Sequence, residues 1–135
     1  MLPKDNDRSC VLRVRTGRHT LLLPGDVERA AESEIIERGG PGPIEVMLVP
    51  HHGSRSSSSA DFVAATRPRW ALVSAGHRNR WGFPAAQVVE RWQAGGSTVL
   101  VVAATGAIEF EVHPNRPLEQ PRQWRLLRRR AWLDP

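Results

Sequence analysis

The stretch Ile44-Glu45-Val46-Met47-Leu48-Val49-Pro50-His51-His52-Gly53-Ser54 decides the fold. Its apolar first half predicts a buried strand over 44–49, and the proline marks the end of that strand. Two imidazoles follow, and the glycine then allows the backbone to turn sharply. Imidazole is a common ligand of transition metals and titrates near neutral pH. The histidine pair is therefore a candidate site, and the alternative is a polar loop in which both rings are solvated or bonded to backbone.

Strands and helices alternate on both sides of this stretch. An alternating run over 10–15 and an apolar run over 19–23 predict a hairpin, with Cys10 in the core. Helical spacing is found over 27–38, over 60–66 and from Pro84 to about residue 93. A strand over 70–74 separates the last two helices, and a final pair of strands is predicted over 98–103 and 107–112. Strand-helix-strand order implies parallel pairing through crossovers, so the predicted class is α/β.

The composition is that of one soluble domain. The chain has 135 residues, of which 40% are apolar and 24% charged. No apolar run approaches the ~20 residues that a membrane span needs, and the first residues do not form a signal peptide. The single cysteine excludes an internal disulfide and a zinc site built from several cysteines.

Basic charge is concentrated at the end of the chain. The net charge is +5, and the segment 116–135 contains six arginines against two acidic residues. We therefore divide the chain into a domain over 1–115 and a basic Arg/Trp-rich tail over 116–135. Such a tail indicates a polyanion or an acidic membrane surface as partner, and the alternative is a disordered or docked terminus. The nucleic-acid-binding candidates in the tail are Arg125, Arg128, Arg129 and Arg130.

Three polar loops follow predicted strands at one edge of the sheet. Asp26 follows the strand over 19–23, the histidine pair follows the strand over 44–49, and a polar loop from His77 to Trp81 follows the strand over 70–74. Ligands bind at this edge in open α/β sheets. A carboxylate and an imidazole on adjacent strands can share a divalent cation, as in two-metal hydrolysis. For Asp26 the alternative role is to cap the helix that begins at residue 27.

Four motifs follow one another along the chain: PGD at 24–26, VPHHGSRSSSS at 49–59, SAGHRNRWGFP at 74–84 and TGAIEF at 105–110. With the Asn-Asp-Arg-Ser start at 6–9, they resemble the C-terminal half of the metallo-β-lactamase-fold domain of ComEC-type competence proteins, which internalise DNA in bacteria. The resemblance runs from about residue 6 to residue 112. It implies half of an αββα sandwich, with a mixed sheet and flanking helices.

The resemblance also implies roles for single residues. A divalent cation, zinc or manganese, would activate attack on a phosphodiester, and DNA would be the substrate. His52 is favoured over His51 as the imidazole ligand, with His51 then lining the pocket or contacting phosphate. The predicted catalytic residues are Asp26, His51 and Asn79, the metal ligands are Asp26, His52 and His51, and the phosphate-binding residues are Ser54, Asn79 and Arg80.

Two departures from the family pattern bear on activity. The early His-x-His-x-Asp-His cluster of the fold is absent from these 135 residues, and Phe83 stands where the family has histidine in a Gly-His-Pro motif. Too few ligands remain for a tight two-metal site. We expect a fragment of a longer competence protein at the cytoplasmic or periplasmic side of the inner membrane. Alone, the chain is expected to be soluble and cytoplasmic, to bind metal weakly and to have little or no nuclease activity.

Two other functions are alternatives to this one. One is a different metallo-hydrolase of this fold, acting on a lactone or a small phosphodiester. The other is a non-catalytic module whose tail binds nucleic acid or a membrane surface. A serine nucleophile paired with His51 is disfavoured, because nothing around Ser54 resembles a nucleophile elbow.

Overall fold

The structure, a computed structural model, describes residues 5–128. Its main feature is a five-stranded mixed sheet in the order β1-β2-β3-β4-β5. The strands are β1 (Leu12–Thr16), β2 (His19–Leu23), β3 (Val46–Leu48), β4 (Trp70–Val73), β5 (Thr98–Val101), β6 (Ile108–Glu109) and β7 (Arg122–Gln123). The helices are α1 (Arg29–Glu37), α2 (Ala60–Thr66), α3 (Ala86–Ala94), α4 (Val102–Thr105) and α5 (Trp124–Leu127).

Strand pairing follows from the connections. A tight turn joins β1 to β2, and these strands are antiparallel, with Leu12 opposite Leu23. The pairs β2–β3, β3–β4 and β4–β5 are parallel, because α1, α2 and α3 form the crossovers between them. The predicted α/β class, with a mixed sheet and flanking helices, is confirmed.

The three crossover helices cover one face of the sheet. Phe62 from α2 and Trp92 from α3 are fully buried there, and both pack against Met47 and Val73 of the sheet in one core. Truncation of such a buried aromatic residue typically costs about 3–5 kcal/mol. This core holds the strand ends in place, and with them the loops that carry the candidate site.

The other face of the sheet is covered only in part. Leu118, in the segment after β6, packs on Val46 and Trp70 in a second, smaller cluster. On β1 and β2 this face is exposed to solvent, since Leu12 is 56% and Leu23 40% exposed. The predicted division of the chain at residue 115 stays a prediction.

Two local predictions are wrong. The predicted strand over 98–103 ends at Val101, because 102–105 form a single helical turn, and β6 pairs with β7 instead of β5. Cys10 was expected in the core, but it is exposed, since it precedes β1 at the edge of the sheet. No helix within residues 5–128 is long and apolar enough to cross a bilayer.

Candidate functional site

The three polar loops meet at the carboxyl ends of β2, β3 and β4, as the sequence predicts. They enclose a cavity of about 450 Å³. Parallel strands end at a common edge, so loops that are far apart in sequence come together there. The cavity is lined by Asp26, His51, His52, Ser74, Ala75, Gly76, Asn79, Trp81 and Phe83.

The histidine turn has an unusual backbone. His51 and His52 both adopt left-handed conformations, with φ of 48° and 54°. Such conformations cost of order 1–3 kcal/mol for residues other than glycine and persist only where the surrounding structure fixes them. Here the His51 N–H donates to the carbonyl of Gly25 at 3.1 Å, and the carbonyl of Gly53 accepts from Ala85 N–H at 2.9 Å. The turn is therefore tied to the loops on both sides of it.

This turn directs the His52 ring toward Asp26. The distance between His52 Nε2 and Asp26 Oδ1 is 3.6 Å, and both side chains are about half exposed. His52 Nδ1 lies 2.7 Å from the carbonyl oxygen of Ser74, which can only accept, so Nδ1 carries the proton and donates. In the neutral ring Nε2 is then an acceptor facing a carboxylate oxygen. Metal-binding imidazoles are oriented in the same way by a bond at their other nitrogen.

The spacing of this pair suits a shared cation. Two ligands that bind one Zn²⁺ tetrahedrally at about 2.1 Å lie roughly 3.4 Å apart, close to the 3.6 Å between Nε2 and Oδ1. The donor set is nevertheless incomplete, since within residues 5–128 no three His, Cys, Asp or Glu side chains gather at one point. Structural zinc sites use four protein ligands and catalytic ones three. Asp26 and His52 can therefore supply two ligands of a cation, but they do not complete its coordination shell.

His51 faces a different acid. Its Nδ1 lies 3.4 Å from Glu28 Oε1 and 3.3 Å from the Ser56 hydroxyl. Glu28 is buried and also accepts a hydrogen bond from the Asn6 amide at 3.2 Å. Sequence reasoning missed Glu28 because it falls inside the predicted helix over 27–38. Its position two residues after Asp26 was the available signal.

Asn79 holds its own loop together. Its amide nitrogen donates to the carbonyls of Gly76 at 3.0 Å and Phe83 at 2.6 Å, and its amide oxygen accepts from Phe83 N–H at 2.9 Å. Both amide protons are therefore used within the loop. The predicted catalytic and phosphate-binding roles of Asn79 stay predictions, and the geometry itself describes a residue that positions the loop.

The other predicted phosphate ligands differ in access. Ser54 is buried and does not line the cavity, and its hydroxyl lies 3.0 Å from that of Ser56. Arg80 is exposed, and its guanidinium lies 4.3 Å from the centre of the Trp81 ring at the cavity mouth. A phosphate would therefore reach Arg80 more easily than Ser54.

The tail arginines lie apart from the cavity. Arg125 belongs to α5, and Arg128 follows it with its guanidinium 4.8 Å from the centre of the Trp124 ring. Neither lines the cavity. Arg129 and Arg130 lie outside the described residues.

Comparison with known proteins adds the functional context, although no family model matches the chain. The chain is 37% identical over 107 residues to competence protein ComA of Neisseria gonorrhoeae, covering 78% of this chain and 16% of that protein. It is 38% identical over 112 residues to recombination protein 2 of Haemophilus influenzae, covering 83% and 14%. It is 32% identical over 105 residues to ComE operon protein 3 of Bacillus subtilis, covering 78% and 14%.

The chain thus spans only a small part of the curated relatives it matches, at most 16% of the three. Two of the three names refer to competence or to a com operon. These similarities relate the chain to the competence-related proteins.

Proposed function

We propose that this chain carries one side of a metal-assisted, phosphodiester-cleaving site that serves DNA uptake. The observation that carries the proposal is the Asp26–His52 pair, whose oxygen and nitrogen lie 3.6 Å apart at the wall of a 450 Å³ cavity. The similarity to competence-related proteins supports DNA as the polymer concerned. The α/β sheet with its site at the strand ends supports half of a metallo-β-lactamase-like sandwich as the architecture.

Each residue of this wall has a defined task in the proposal. Asp26 and His52 hold the cation, and the Ser74 carbonyl keeps the His52 ring in the tautomer that leaves Nε2 available. A divalent cation at this point supplies Lewis-acid stabilisation of negative charge on a phosphodiester. Arg80 attracts the phosphate at the cavity mouth, and Asn79 keeps its loop in place.

The missing ligands define the rest of the proposal. Since the described residues supply two donors, further ligands come from another polypeptide segment, as the absent His-x-His-x-Asp-His cluster suggests. We place the complete site in a longer protein at the bacterial inner membrane that takes up DNA. The chain alone then binds zinc or manganese weakly and cleaves DNA little or not at all.

Calorimetric titration of Zn²⁺ and Mn²⁺ into the purified chain tests the site. A complete zinc site is worth about 10–16 kcal/mol, so half of that free energy, about 5–8 kcal/mol, corresponds to a Kd of roughly 1–200 µM. Asp26→Asn and His52→Ala should abolish this binding. Asp61→Asn, which changes an exposed acid at the start of α2, should leave it unchanged.

Two results would contradict the proposal. If Asp26→Asn binds metal as the wild-type chain does, the pair is not a metal site. If the chain alone binds metal tightly and stoichiometrically and cleaves DNA, with both properties lost in Asp26→Ala, then the site is complete and needs no ligands from elsewhere.

A further inference from the structure

One wall of the cavity is made of stacked rings. The rings of Trp81 and Phe83 lie 6.3 Å apart between centroids at an interplanar angle of 15°, and those of Phe83 and His52 lie 6.5 Å apart at 19°. The three planes are thus nearly parallel and lead from the cavity mouth to the Asp26–His52 pair. Trp81 is 63% exposed. This is unusual, because large aromatic side chains usually bury most of their surface.

Hydrogen bonds within the loop fix the backbone that carries this wall. Asn79 bonds both the N–H and the carbonyl of Phe83, at 2.9 and 2.6 Å. The Gly82 N–H donates to the Asn79 carbonyl at 3.1 Å and closes the turn around Trp81. A rigid aromatic surface loses little conformational entropy when a flat ligand stacks on it, so the loop is suited to binding.

Positive charge accompanies the exposed ring. Arg78 and Arg80 lie in the same loop, on either side of Asn79, and both are exposed. Neither forms an ion pair with a carboxylate in the part of the chain that the structure describes. Arginine beside an exposed aromatic ring is the combination with which proteins hold single-stranded nucleic acid. The Arg80 guanidinium lies 4.3 Å from the centre of the Trp81 ring, so a base that stacks on that face displaces the guanidinium, which is then free to attract the backbone phosphate.

We infer that the Trp81–Phe83 wall stacks a base of single-stranded nucleic acid, with the adjoining phosphate directed toward Asp26 and His52. The inference rests on the proposed function, which names DNA as the polymer. It adds that the strand is single and that Trp81 is the residue that selects it. Bases in a duplex are already stacked on one another, so a wall of this kind favours a strand whose bases are unpaired. A small phosphodiester without a base would gain nothing from it.

Binding of two single strands of equal length and charge tests the inference. Fluorescence anisotropy compares an oligothymidylate of about twelve nucleotides with an abasic strand of the same length, within the range of site sizes known for such proteins. Both are measured in EDTA, so that neither metal binding nor cleavage contributes. The wild-type chain should bind the thymidylate at least about fivefold more tightly than the abasic strand.

The variants assign the preference to one ring. Trp81→Ala should weaken thymidylate binding about fivefold or more while abasic binding stays the same. Trp81→Phe should retain most of the preference, because phenylalanine also stacks. Leu12→Ala is the control and should leave binding of both strands unchanged, since Leu12 is an exposed apolar side chain that does not line the cavity.

Each remaining outcome counts against the inference. Equal affinity of the wild-type chain for both strands, no measurable binding of either strand, or a Trp81→Ala loss that is the same for both strands would show that the rings merely pack the loop. Failure of the proposed function is distinguishable from these results, because it appears in the metal titration with Asp26→Asn. A chain that prefers thymidylate yet binds no metal would contradict the proposed function alone.

Discussion

Glu28 Oε1 lies 3.4 Å from His51 Nδ1, so a buried carboxylate stands behind one of the two imidazoles at the cavity. The neighbouring imidazole, His52, pairs instead with Asp26 at 3.6 Å. Each histidine of the turn therefore has its own acid. His51 and His52 face different acids because both residues are left-handed, and this backbone turns their side chains in different directions.

Removal of the Glu28 carboxylate should loosen His51. Glu28→Ala removes the acceptor of the Asn6 amide and the carboxylate beside the His51 ring, and we expect the free energy of unfolding to fall by about 1–3 kcal/mol. Glu28→Gln keeps an acceptor oxygen and should lose about 1 kcal/mol or less. Urea denaturation measures both values, and the ¹⁵N shifts of the His51 ring report whether its tautomer changes.

The control for Glu28 is Glu37, an exposed acid at the end of α1. Glu37→Gln should change neither the stability nor the His51 ring shifts. If Glu28→Ala has as little effect as Glu37→Gln, the carboxylate does not position the ring.

Glu32 should be essential for the start of α2. Its carboxylate is fully buried and accepts the backbone N–H groups of Ser58 at 2.5 Å and Ser59 at 2.8 Å. Glu32→Gln replaces one acceptor oxygen by an amide group that can only donate and that faces a backbone N–H. We therefore expect the free energy of unfolding to be about 2–4 kcal/mol lower than in the wild type. Urea denaturation tests this value. Glu34→Gln, at an exposed position of the same helix, should cost at most about 0.5 kcal/mol.

The sequence predicts an element of this fold well where its cap residues or apolar pattern agree with the tertiary packing. The bounds of α2 match the prediction because Ser59 caps the helix and accepts from Phe62 N–H at 3.3 Å. The strand over 19–23 also matches, and Leu22 from its apolar run is buried in the core. The predicted strand over 107–112 did not pair as expected, because its partner β7 consists of Arg122 and Gln123, which carry no apolar pattern.

The sequence predicts which loops form the candidate site, but it does not predict which side chains contact one another there. Parallel strands bring Asp26 and the histidine pair to one edge, and strand order alone implies this. Which histidine faces Asp26 depends on two left-handed residues, which spacing does not encode. The stacking of Trp81 on Phe83 likewise depends on the bonds that Asn79 makes within the loop.

Gly53 should tolerate no side chain. Its φ is +81°, and an added Cβ would lie 2.6 Å from the Cβ of Pro84, which is too close for real atoms. Gly53→Ala should therefore lower the free energy of unfolding by at least about 2 kcal/mol and shift the histidine turn. Gly96→Ala is the control, because Gly96 has a φ of +92° and open space around it. It should lose about 1 kcal/mol, and equal losses in urea denaturation would contradict the role given to Pro84.

Buried His19 joins three parts of the chain. Its Nδ1 bonds the Glu45 carboxylate, and its Nε2 faces the carbonyl oxygens of Arg116 at 2.7 Å and His113 at 3.1 Å. Each of these partners is an acceptor, so the ring satisfies them best when both nitrogens carry protons. The protonated ring therefore fastens the segment after β6 to the start of β2.

The stability of the chain should fall as the pH rises above 6.5. The hydrogen bond to Glu45 is the largest of the causes that raise the pKa of His19 above its ordinary value of 6.5, while burial opposes the shift. A raised pKa in the folded state gives a stabilisation that is fully present below pH 6.5 and disappears as the pH rises through the folded-state pKa. Urea midpoints measured across this range should decline in the wild-type chain and in His77→Gln, whose histidine is exposed. In His19→Gln this part of the decline should be absent, and an unchanged slope would show that the His19 proton does not stabilise the fold.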